Sequence, residues 1–286
     1  MTRFLLAYQQ LLRTDAVALA AALGLERALP AERRQPLPNV LFNAACFLGA
    51  LPVLLVVLPP LAGPAGAVRA AVGRSVFDVS SGEGAGGQIA VGLLVVFAWD
   101  FFQYWAHRAM HAIPCLWELH KLHHSDTAVN ATTAYRNHAT AHIFQFVAVG
   151  VPLGLVVPIS ALGTAMAIVF FHIYGFFNHM NVRLSLGVFT PVVSGPQLHR
   201  IHHSLLEQHR DRNFAAFFPI FDIMFGTYRR PAQGEFPPTG LGNGDDPNDV
   251  RSLTVAPFTG WLRALRRTRV SSPRPACVAT AVAKMS

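Results

Sequence analysis

Residues 88–111 have the sequence QIAVGLLVVFAWDFFQYWAHRAMH, an apolar stretch that leads directly into two histidines. The part up to about Trp105 is long enough to cross most of a bilayer as a helix, and the Tyr104–Trp105 pair is typical of a membrane interface. His107 and His111 follow with a spacing of four, which places both side chains on one helix face. We therefore expect a helix that crosses the membrane and presents histidines just outside it.

Two further apolar stretches extend the predicted membrane domain. Residues 40–58 carry no charged side chain and predict one span. Residues 143–177 contain no Lys, Arg, Asp or Glu, and as one helix they would be about 50 Å long, too long for a typical bilayer. We predict a hairpin of two short spans with its turn at Pro158, Ser160 and Gly163. The predicted fold class is all-α, a multi-span membrane helical bundle with about four spans.

The composition agrees with a membrane protein. Of the 286 residues, 52% are hydrophobic and only 13% are charged. The net charge is +8, but the basic residues lie in the polar flanks and the C-terminal third, where anionic lipid headgroups are a simpler partner than nucleic acid. Lysine and arginine are more frequent in residues 1–39 and 107–138 than in the loop 61–87. By the positive-inside rule, the histidine-bearing side is predicted to face the cytoplasm.

The chain divides into three predicted parts. Residues 1–39 form an N-terminal amphipathic or interfacial segment, for which a plain packing helix is an equally good interpretation. Residues 40–260 form the membrane domain. Residues 261–286 are basic, contain proline and serine, and are predicted to be a disordered tail.

All thirteen histidines lie between His107 and His209, and most of them follow helical spacings. The patterns are His107-x-x-x-His111, His120-x-x-His123-His124 and His199-x-x-His202-His203. Spacings of three and four bring imidazoles within about 5–6 Å of each other on one helix face, close enough to share a metal ion. Because the predicted hairpin separates the second pattern from the third, both emerge on the same membrane face and can form one site.

The cysteines limit the kind of metal site. Cys46, Cys115 and Cys277 stand far apart without a C-x-x-C pair, which excludes disulfide frameworks, thiolate zinc sites and iron–sulfur clusters. The ligands must be nitrogen or oxygen atoms. Iron, zinc, copper and nickel are all compatible with clustered imidazoles, and the spacing alone does not choose among them.

A longer, ordered set of motifs resembles the fatty acid hydroxylase/sterol desaturase superfamily over about residues 90–230. The motifs are Asp100 to His111, His120-Lys-Leu-His123-His124-Ser, Phe177-Asn178-His179-Met-Asn181, His199-Arg-Ile-His202-His203-Ser, Arg212-Asn213-Phe214 and Asp222 to Tyr228. The resemblance implies a helical membrane enzyme with a cytosolic helical cap, in which about nine or ten histidines hold two iron ions that activate dioxygen. Zinc could replace iron in a purified protein.

The resemblance also implies the ligand set. The predicted ligands are His107, His111, His120, His123, His124, His179, His199, His202, His203 and His138. His179 enters only through the resemblance. Gly175 stands where some of these hydroxylases have another histidine, which leaves the tenth ligand open. The alternatives are His138, His142, His172 and no tenth ligand. We predict His138, because it follows the second pattern on the cytoplasmic side and is in reach without unfolding a span.

Two carboxylates are candidates for supporting the ligands. Asp100 lies in an otherwise apolar span, where an ionisable group is costly and usually has a partner. We predict that it accepts a hydrogen bond from a ligand histidine on a neighbouring helix, with an arginine partner or the membrane interface as the alternative. Asp222 is assigned the same role, with a place in an interfacial helix and turn as its alternative. No catalytic residue is predicted beyond the metal ligands.

These features together predict an oxygenase that hydroxylates or desaturates a lipid such as a fatty acyl chain or a sterol-like lipid. The chain has no iron–sulfur cysteines and no recognisable haem-binding module, so the electrons are expected from a separate reductase, cytochrome or ferredoxin. A carotenoid hydroxylase or ketolase is an alternative in the same class. A histidine-rich metal transporter is the alternative from another class, but transporters place their ligands within the spans, whereas these histidines lie at and beyond helix ends.

Overall fold

A computed structural model describes residues 2–33, 35–61, 66–67, 71, 84–156 and 161–267, without the side chains of 2–8, 11, 84–88, 161–168, 253, 256 and 263–267. The longer helices are α1 (Thr2–Ala28), α2 (Leu37–Leu61), α3 (Gly84–Ala112), α4 (Pro114–His124), α5 (Ala139–Val156), α6 (Ala161–His179), α7 (Pro196–His202), α8 (Ile220–Met224) and α9 (Ala256–Arg267). The described residues contain isolated β-bridges but no strand. The predicted all-α class is confirmed.

Within the described residues, three helices are long and apolar enough to cross a membrane: α2, the Ile89–Ala112 part of α3, and α5. They correspond to the two predicted spans at 40–58 and 88–105 and to the first arm of the predicted hairpin. Helix α6 occupies the second arm and ends at His179, but it is not among the three candidate spans. The fourth span therefore stays a prediction.

The structure describes one of the three residues predicted to form the hairpin turn. Pro158 and Ser160 lie outside the described residues. Gly163 lies within α6, so its assignment to the turn is wrong. One glycine in a helix costs only about 1 kcal/mol relative to alanine, and an apolar helix that packs against its neighbours tolerates it.

Helix α1 is a single helix that packs against the protein. Ala22 of α1 lies in one buried cluster with Phe176 of α6. The Glu26 carboxylate accepts hydrogen bonds from the backbone N–H groups of Ala131 and Asn181, at 2.7 and 2.8 Å. These contacts favour the packing interpretation of the N-terminal segment.

Both short helices that carry an H-x-x-H-H pattern start with proline. Pro114 begins α4 and Pro196 begins α7, each after a residue with an extended backbone. Proline suits the first position of a helix because its ring fixes φ near the helical value and its missing N–H would have no partner there. The proline thus fixes the first residue of each helix, and with it the positions of the three histidines that follow.

A buried polar network fixes the carboxyl end of α4 against α2. The Asp126 carboxylate accepts hydrogen bonds from the side-chain amides of Asn39 and Asn43, at 2.8 and 3.1 Å. The Arg136 guanidinium, which is fully buried, donates to the carbonyl of Leu122 at 3.1 Å and to the side-chain oxygen of Asn43 at 2.9 Å. A buried charge in a network of this kind is costly to leave unpaired, so the network holds α4 in one place.

The predicted tail boundary at residue 261 falls inside a helix. Helix α9 runs from Ala256 to Arg267, so residues 261–267 are helical rather than irregular. The basic, Pro- and Ser-containing composition obscured a short amphipathic pattern that begins just before the boundary. Residues 268–286 lie outside the described residues.

Candidate metal centre

Nine of the predicted ligand histidines lie together in two groups that could each hold a metal ion. The first group is His107, His111, His120, His124 and His202. The second group is His123, His179, His199 and His203. Within each group, one ring nitrogen of every histidine lies within 4.8 Å of the others. We call them the five-histidine group and the four-histidine group.

Helix geometry explains how the patterns divide. Residues four apart on a helix stay on one face, and a residue three apart is displaced around the axis. In α4, His120 and His124 join the five-histidine group, whereas His123 joins the other. In α7 and the residue that follows it the division is reversed, because His199 and His203 belong to the four-histidine group and His202 to the other. Each H-x-x-H-H pattern therefore contributes to both groups.

The ring nitrogens of the five-histidine group converge. Nε2 of His107 lies 2.9 Å from Nε2 of His120, and Nε2 of His111 lies 3.1 Å from Nε2 of His124. Nε2 of His202 is buried and has no hydrogen-bond partner within the described part of the chain. This atom is left without a partner because it points into the group.

The four-histidine group is built in the same way. Nε2 of His179 lies 3.1 Å from Nε2 of His123 and 3.0 Å from Nε2 of His199. Nε2 of His199 is in turn 3.2 Å from Nε2 of His203. His179 is the last residue of α6, so this helix delivers one ligand candidate from the membrane domain to the group.

The convergence fits a metal ion in each group. A neutral imidazole has only one donor and one acceptor nitrogen, so several Nε2 atoms that meet at one point cannot satisfy each other by hydrogen bonding. With metal–nitrogen bonds of about 2.1 Å, two ligands at a right angle lie about 3.0 Å apart. The observed separations of 2.9 to 3.2 Å are of this size.

Burial keeps these histidines neutral. The pKa of six of these histidines lies well below the ordinary value. Burial is the largest cause and the neighbouring imidazoles are the next. The six are His120, His123, His124, His199, His202 and His203. A histidine must be neutral to bind a metal ion, since the protonated ring has no free lone pair. These six side chains are therefore available as ligands at neutral pH.

The segment Asp211–Phe218, which we call the strap, orients the five-histidine group. Nδ1 of His107 donates to the carbonyl of Phe214 at 2.8 Å, and Nδ1 of His202 donates to the carbonyl of Arg212 at 2.7 Å. Nδ1 of His111 donates to the carboxylate of Asp211 at 3.2 Å. A proton held on Nδ1 leaves the lone pair of Nε2 directed into the group. The strap thus contacts three of the five histidines.

The two candidate carboxylates hold the strap and not the histidines. Asp100 accepts hydrogen bonds from the backbone N–H groups of Ala216, Phe217 and Phe218, at 2.9, 3.1 and 2.6 Å. The prediction that Asp100 accepts a hydrogen bond directly from a ligand histidine is therefore wrong. Within the described residues, its donors are backbone N–H groups of the strap. An acceptor inside an apolar span is satisfied here by three backbone donors from another segment.

Asp222 acts on the same strap from α8. It accepts hydrogen bonds from the backbone N–H groups of Phe214 and Ala215, at 2.7 and 2.9 Å, and from the hydroxyl of Thr227 at 2.7 Å. Burial raises the pKa of Asp222, and the hydrogen bonds from Thr227 and the strap oppose that rise. Its predicted direct bond to a ligand is replaced by an indirect connection through Phe214, whose carbonyl binds His107.

Four histidines lie in neither group, and three of them are the candidates for a tenth ligand. His138 caps the start of α5, and its Nδ1 lies 2.7 Å from the hydroxyl of Thr140, so the structure places the predicted tenth ligand away from both groups. His142, on α5, is likewise outside both. Nδ1 of His172 lies 2.9 Å from the carboxylate of Asp15.

Two contributions to the site could not be read from the histidine patterns. The Trp117 ring packs against His111 and His124, with centroids 5.2 and 5.6 Å apart, and shields the edge of the five-histidine group. Trp117 lies three residues before His120, the spacing that would have placed it on the histidine face. The carbonyl of Gly175 accepts a hydrogen bond from Nδ1 of His179 at 2.7 Å, a backbone role that no side-chain pattern records.

Comparison with known proteins supplies the family context. Residues 92–227 match the sequence profile of the fatty acid hydroxylase family. The chain is 34% identical to an alkylglycerol monooxygenase of Danio rerio over 129 residues, which are 45% of this chain and 28% of that protein. It is 30% identical to the ornithine lipid hydroxylase OlsE of Rhizobium tropici over 148 residues, 50% of this chain and 42% of that protein.

A third relative belongs to sterol metabolism. A Delta(7)-sterol 5(6)-desaturase of Gibberella zeae is 32% identical over 145 residues, which are 48% of this chain and 37% of that protein. The chain therefore spans less than half the length of each of these relatives. No solved structure matches it significantly. The matched residues 92–227 contain all nine histidines of the two groups.

Proposed function

We propose that this chain, which belongs to the fatty acid hydroxylase/sterol desaturase superfamily, is a membrane oxygenase that hydroxylates or desaturates a C–H bond of a lipid with dioxygen and external electrons. The observation that carries the proposal is the gathering of nine histidines into two metal-binding groups at the ends of apolar helices. The relatives support it, because their names describe a monooxygenase, a hydroxylase and a desaturase that act on lipids.

Each group would hold one metal ion, with five imidazole ligands in one group and four in the other. Iron is the metal that the family membership favours, and zinc could take its place in a purified protein. Bound iron would supply the redox chemistry that activates dioxygen. The sequence has no iron–sulfur cysteine pattern and no recognisable haem-binding module, so we expect the electrons to come from a separate reductase, cytochrome or ferredoxin.

The protein's own contribution is position and protection from water. The strap would hold three histidines of the five-histidine group in one orientation, and the Phe214 ring covers the same histidines. Its centroid lies 5.5, 5.0 and 5.7 Å from the rings of His107, His111 and His202. An apolar cover excludes water from the reacting groups. The substrate would reach the site laterally from the bilayer, because α3 and α6, which carry His107 and His179, also have exposed apolar side chains such as Phe97 and Ile173.

The proposed function is tested with the purified full chain in lipid nanodiscs. The protein would be loaded with ferrous iron without oxygen, mixed with a reductant and dioxygen, and supplied in turn with an ether lipid, an acyl lipid, a sterol and a carotenoid. Mass spectrometry should detect a lipid that has gained one oxygen atom or lost two hydrogen atoms. Turnover of the carotenoid alone would favour the carotenoid hydroxylase. Metal transport by the protein in sealed vesicles, with no oxidised lipid, would favour the transporter.

We expect the histidine groups to face the cytoplasm. Cysteines introduced at Ser80, which stands between the first two predicted spans, and at the exposed Asn243 should react with a membrane-impermeant maleimide from opposite faces, in a chain whose three native cysteines are replaced by alanine. The reason is the higher frequency of Lys and Arg on the histidine-bearing side. Sealed vesicles of both orientations provide the measurement. Labelling from one face would show that the number of spans between the two positions is even.

His138 is expected to be dispensable for metal binding. Its Nδ1 caps α5, and it lies in neither histidine group, so His138→Ala should leave the metal content per chain unchanged. His203→Ala, which removes a member of the four-histidine group, should lower it. Elemental analysis of both variants after identical loading decides the point. A loss of metal from His138→Ala equal to that from His203→Ala would restore His138 as a tenth ligand.

A further inference from the structure

Helix α9 presents an apolar stripe that the described part of the chain leaves about half exposed. Val255, immediately before the helix, is 51% exposed, and Phe258 and Leu262 are 45% and 58% exposed. The spacings of three and four place all three side chains on one face of the helix. Exposed apolar residues are common singly, but an aligned set on one helix face marks a binding surface.

The other side of α9 is attached to the histidine-bearing helix α4. The Trp261 indole N–H donates to the carbonyl of Cys115 at 2.6 Å. Gly260 is buried at the same contact, next to the side chain of Glu118. Because α9 is fixed to α4 on this side, the stripe lies on the side of the helix that is turned away from α4.

The stripe lies level with the end of a candidate membrane span. The ring of Phe258 is 6.1 Å from the ring of His138, measured between centroids. His138 is the residue that caps α5, and α5 is long and apolar enough to cross the membrane from Ala139. A residue beside the first turn of a span lies in the headgroup region.

The charge of α9 indicates what would cover the stripe. The helix has the sequence APFTGWLRALRR, with three arginines, Arg263, Arg266 and Arg267, and no acidic residue. A short helix that combines an apolar face with basic residues is typical of helices that lie in the plane of a membrane surface. Basic residues near a membrane are attracted to anionic headgroups.

We propose that α9 is an in-plane membrane helix, which inserts the stripe of Val255, Phe258 and Leu262 into the headgroup and acyl boundary and is held there by anionic lipids. A basic, apolar helix beside a span fits this occupant better than an acidic protein, because the membrane already adjoins it at α5. Through the contact with α4, the lipid surface would support the helix that carries three of the nine histidines. The proposal does not depend on the reaction that the histidine groups perform.

The experiment measures the depth of the stripe in the bilayer. Cysteines are introduced singly at Val255, Phe258 and Leu262, with exposed Asn243 as the control, in a full-length chain without native cysteines, and each carries a nitroxide label. In nanodiscs with phosphatidylglycerol, the three stripe labels should be accessible to dioxygen, which concentrates in lipid, and protected from a water-soluble nickel chelate. The label at Asn243 should show the reverse. Each variant must retain the metal content of the parent chain.

Two results would overturn the membrane assignment. Stripe labels as accessible to the nickel chelate as the label at Asn243 would place α9 in water. Stripe labels protected from both reagents would mean that protein covers the stripe, either a second copy or a partner.

The charge component has its own test. Each arginine near an anionic surface strengthens attachment about fivefold, so R263Q/R266Q/R267Q should weaken insertion roughly a hundredfold in phosphatidylglycerol. The same variant in phosphatidylcholine should match the parent chain. Equal insertion of variant and parent in phosphatidylglycerol would overturn the role of anionic lipids.

Discussion

His123→Ala is expected to lose the metal ion of the four-histidine group and all oxygenase activity, whereas His202→Ala should lose activity but keep most of its metal. His123 is one of only four ligand candidates, so its loss leaves three imidazoles. His202 is one of five, and its loss leaves four, the full ligand number of a closed tetrahedral site, whereas three imidazoles leave an open position from which the ion is lost more easily during dialysis. Activity should vanish in both variants because the proposed chemistry requires both ions in their native geometry.

The measurement is metal per chain after loading and dialysis, together with lipid turnover. His172→Ala is the control, because His172 pairs with Asp15 and belongs to neither group, so its metal content should equal that of the parent chain. Equal metal loss in His123→Ala and His202→Ala would contradict the division into two groups. Full activity in either variant would contradict the proposed function itself.

The sequence predicted the membrane helices and the meeting of the histidines well, because both depend on local patterns. Apolar stretches of spanning length predict helices that the structure contains at α2, α3 and α5. Helical spacing predicts that the members of each H-x-x-H-H pattern are neighbours. The resemblance was needed for His179, since a single histidine carries no pattern of its own. It lies in the four-histidine group.

The division of the histidines into two groups could not be predicted, because it depends on how α4 and α7 are rotated against each other. The partners of Asp100 and Asp222 were missed for a related reason. Their donors lie in the strap, an irregular segment whose path has no periodicity. Within it, Asp211 and Asn213 have positive φ angles of 57° and 58°, a conformation that aspartate and asparagine adopt more readily than most residues. The motif Arg212-Asn213-Phe214 indicated a special segment but not which atoms it would bind.

Helix α9 shows the limit of composition as a guide. The basic residues, proline and serine beyond Trp261 predicted disorder, yet α9 continues to Arg267. The apolar spacing that marks a helix begins at Val255, before the predicted boundary, and continues through Leu262 and Leu265 after it, so the boundary divided the pattern. A short amphipathic helix that is attached to the protein by one side has a weak signal in sequence, because half of its apolar residues face outward.

Asp222→Asn is expected to weaken metal binding in the five-histidine group selectively. The carboxylate accepts hydrogen bonds from the N–H groups of both Phe214 and Ala215, and an asparagine side chain has only one acceptor atom for them. The –NH₂ group would face a backbone donor and push the strap away. The carbonyl of Phe214, which binds Nδ1 of His107, would shift with it. Loss of such a supporting contact typically costs 10- to 100-fold in metal affinity, and we expect about this loss here.

The decisive version of this experiment uses His123→Ala as the background, because the five-histidine group is then the only complete one. Cobalt titration of this chain with and without Asp222→Asn gives the affinity of that group through the absorption of the bound ion. Glu26→Gln is the matched control, since Glu26 is also buried and accepts hydrogen bonds from two backbone N–H groups, those of Ala131 and Asn181, but it contacts neither the strap nor a member of the five-histidine group. Both substitutions should lower the thermal unfolding temperature, whereas only Asp222→Asn should lower the cobalt affinity. Equal losses of cobalt affinity in the two variants would mean that Asp222 contributes only to general stability. An unchanged affinity in Asp222→Asn would mean that the strap does not set the orientation of His107.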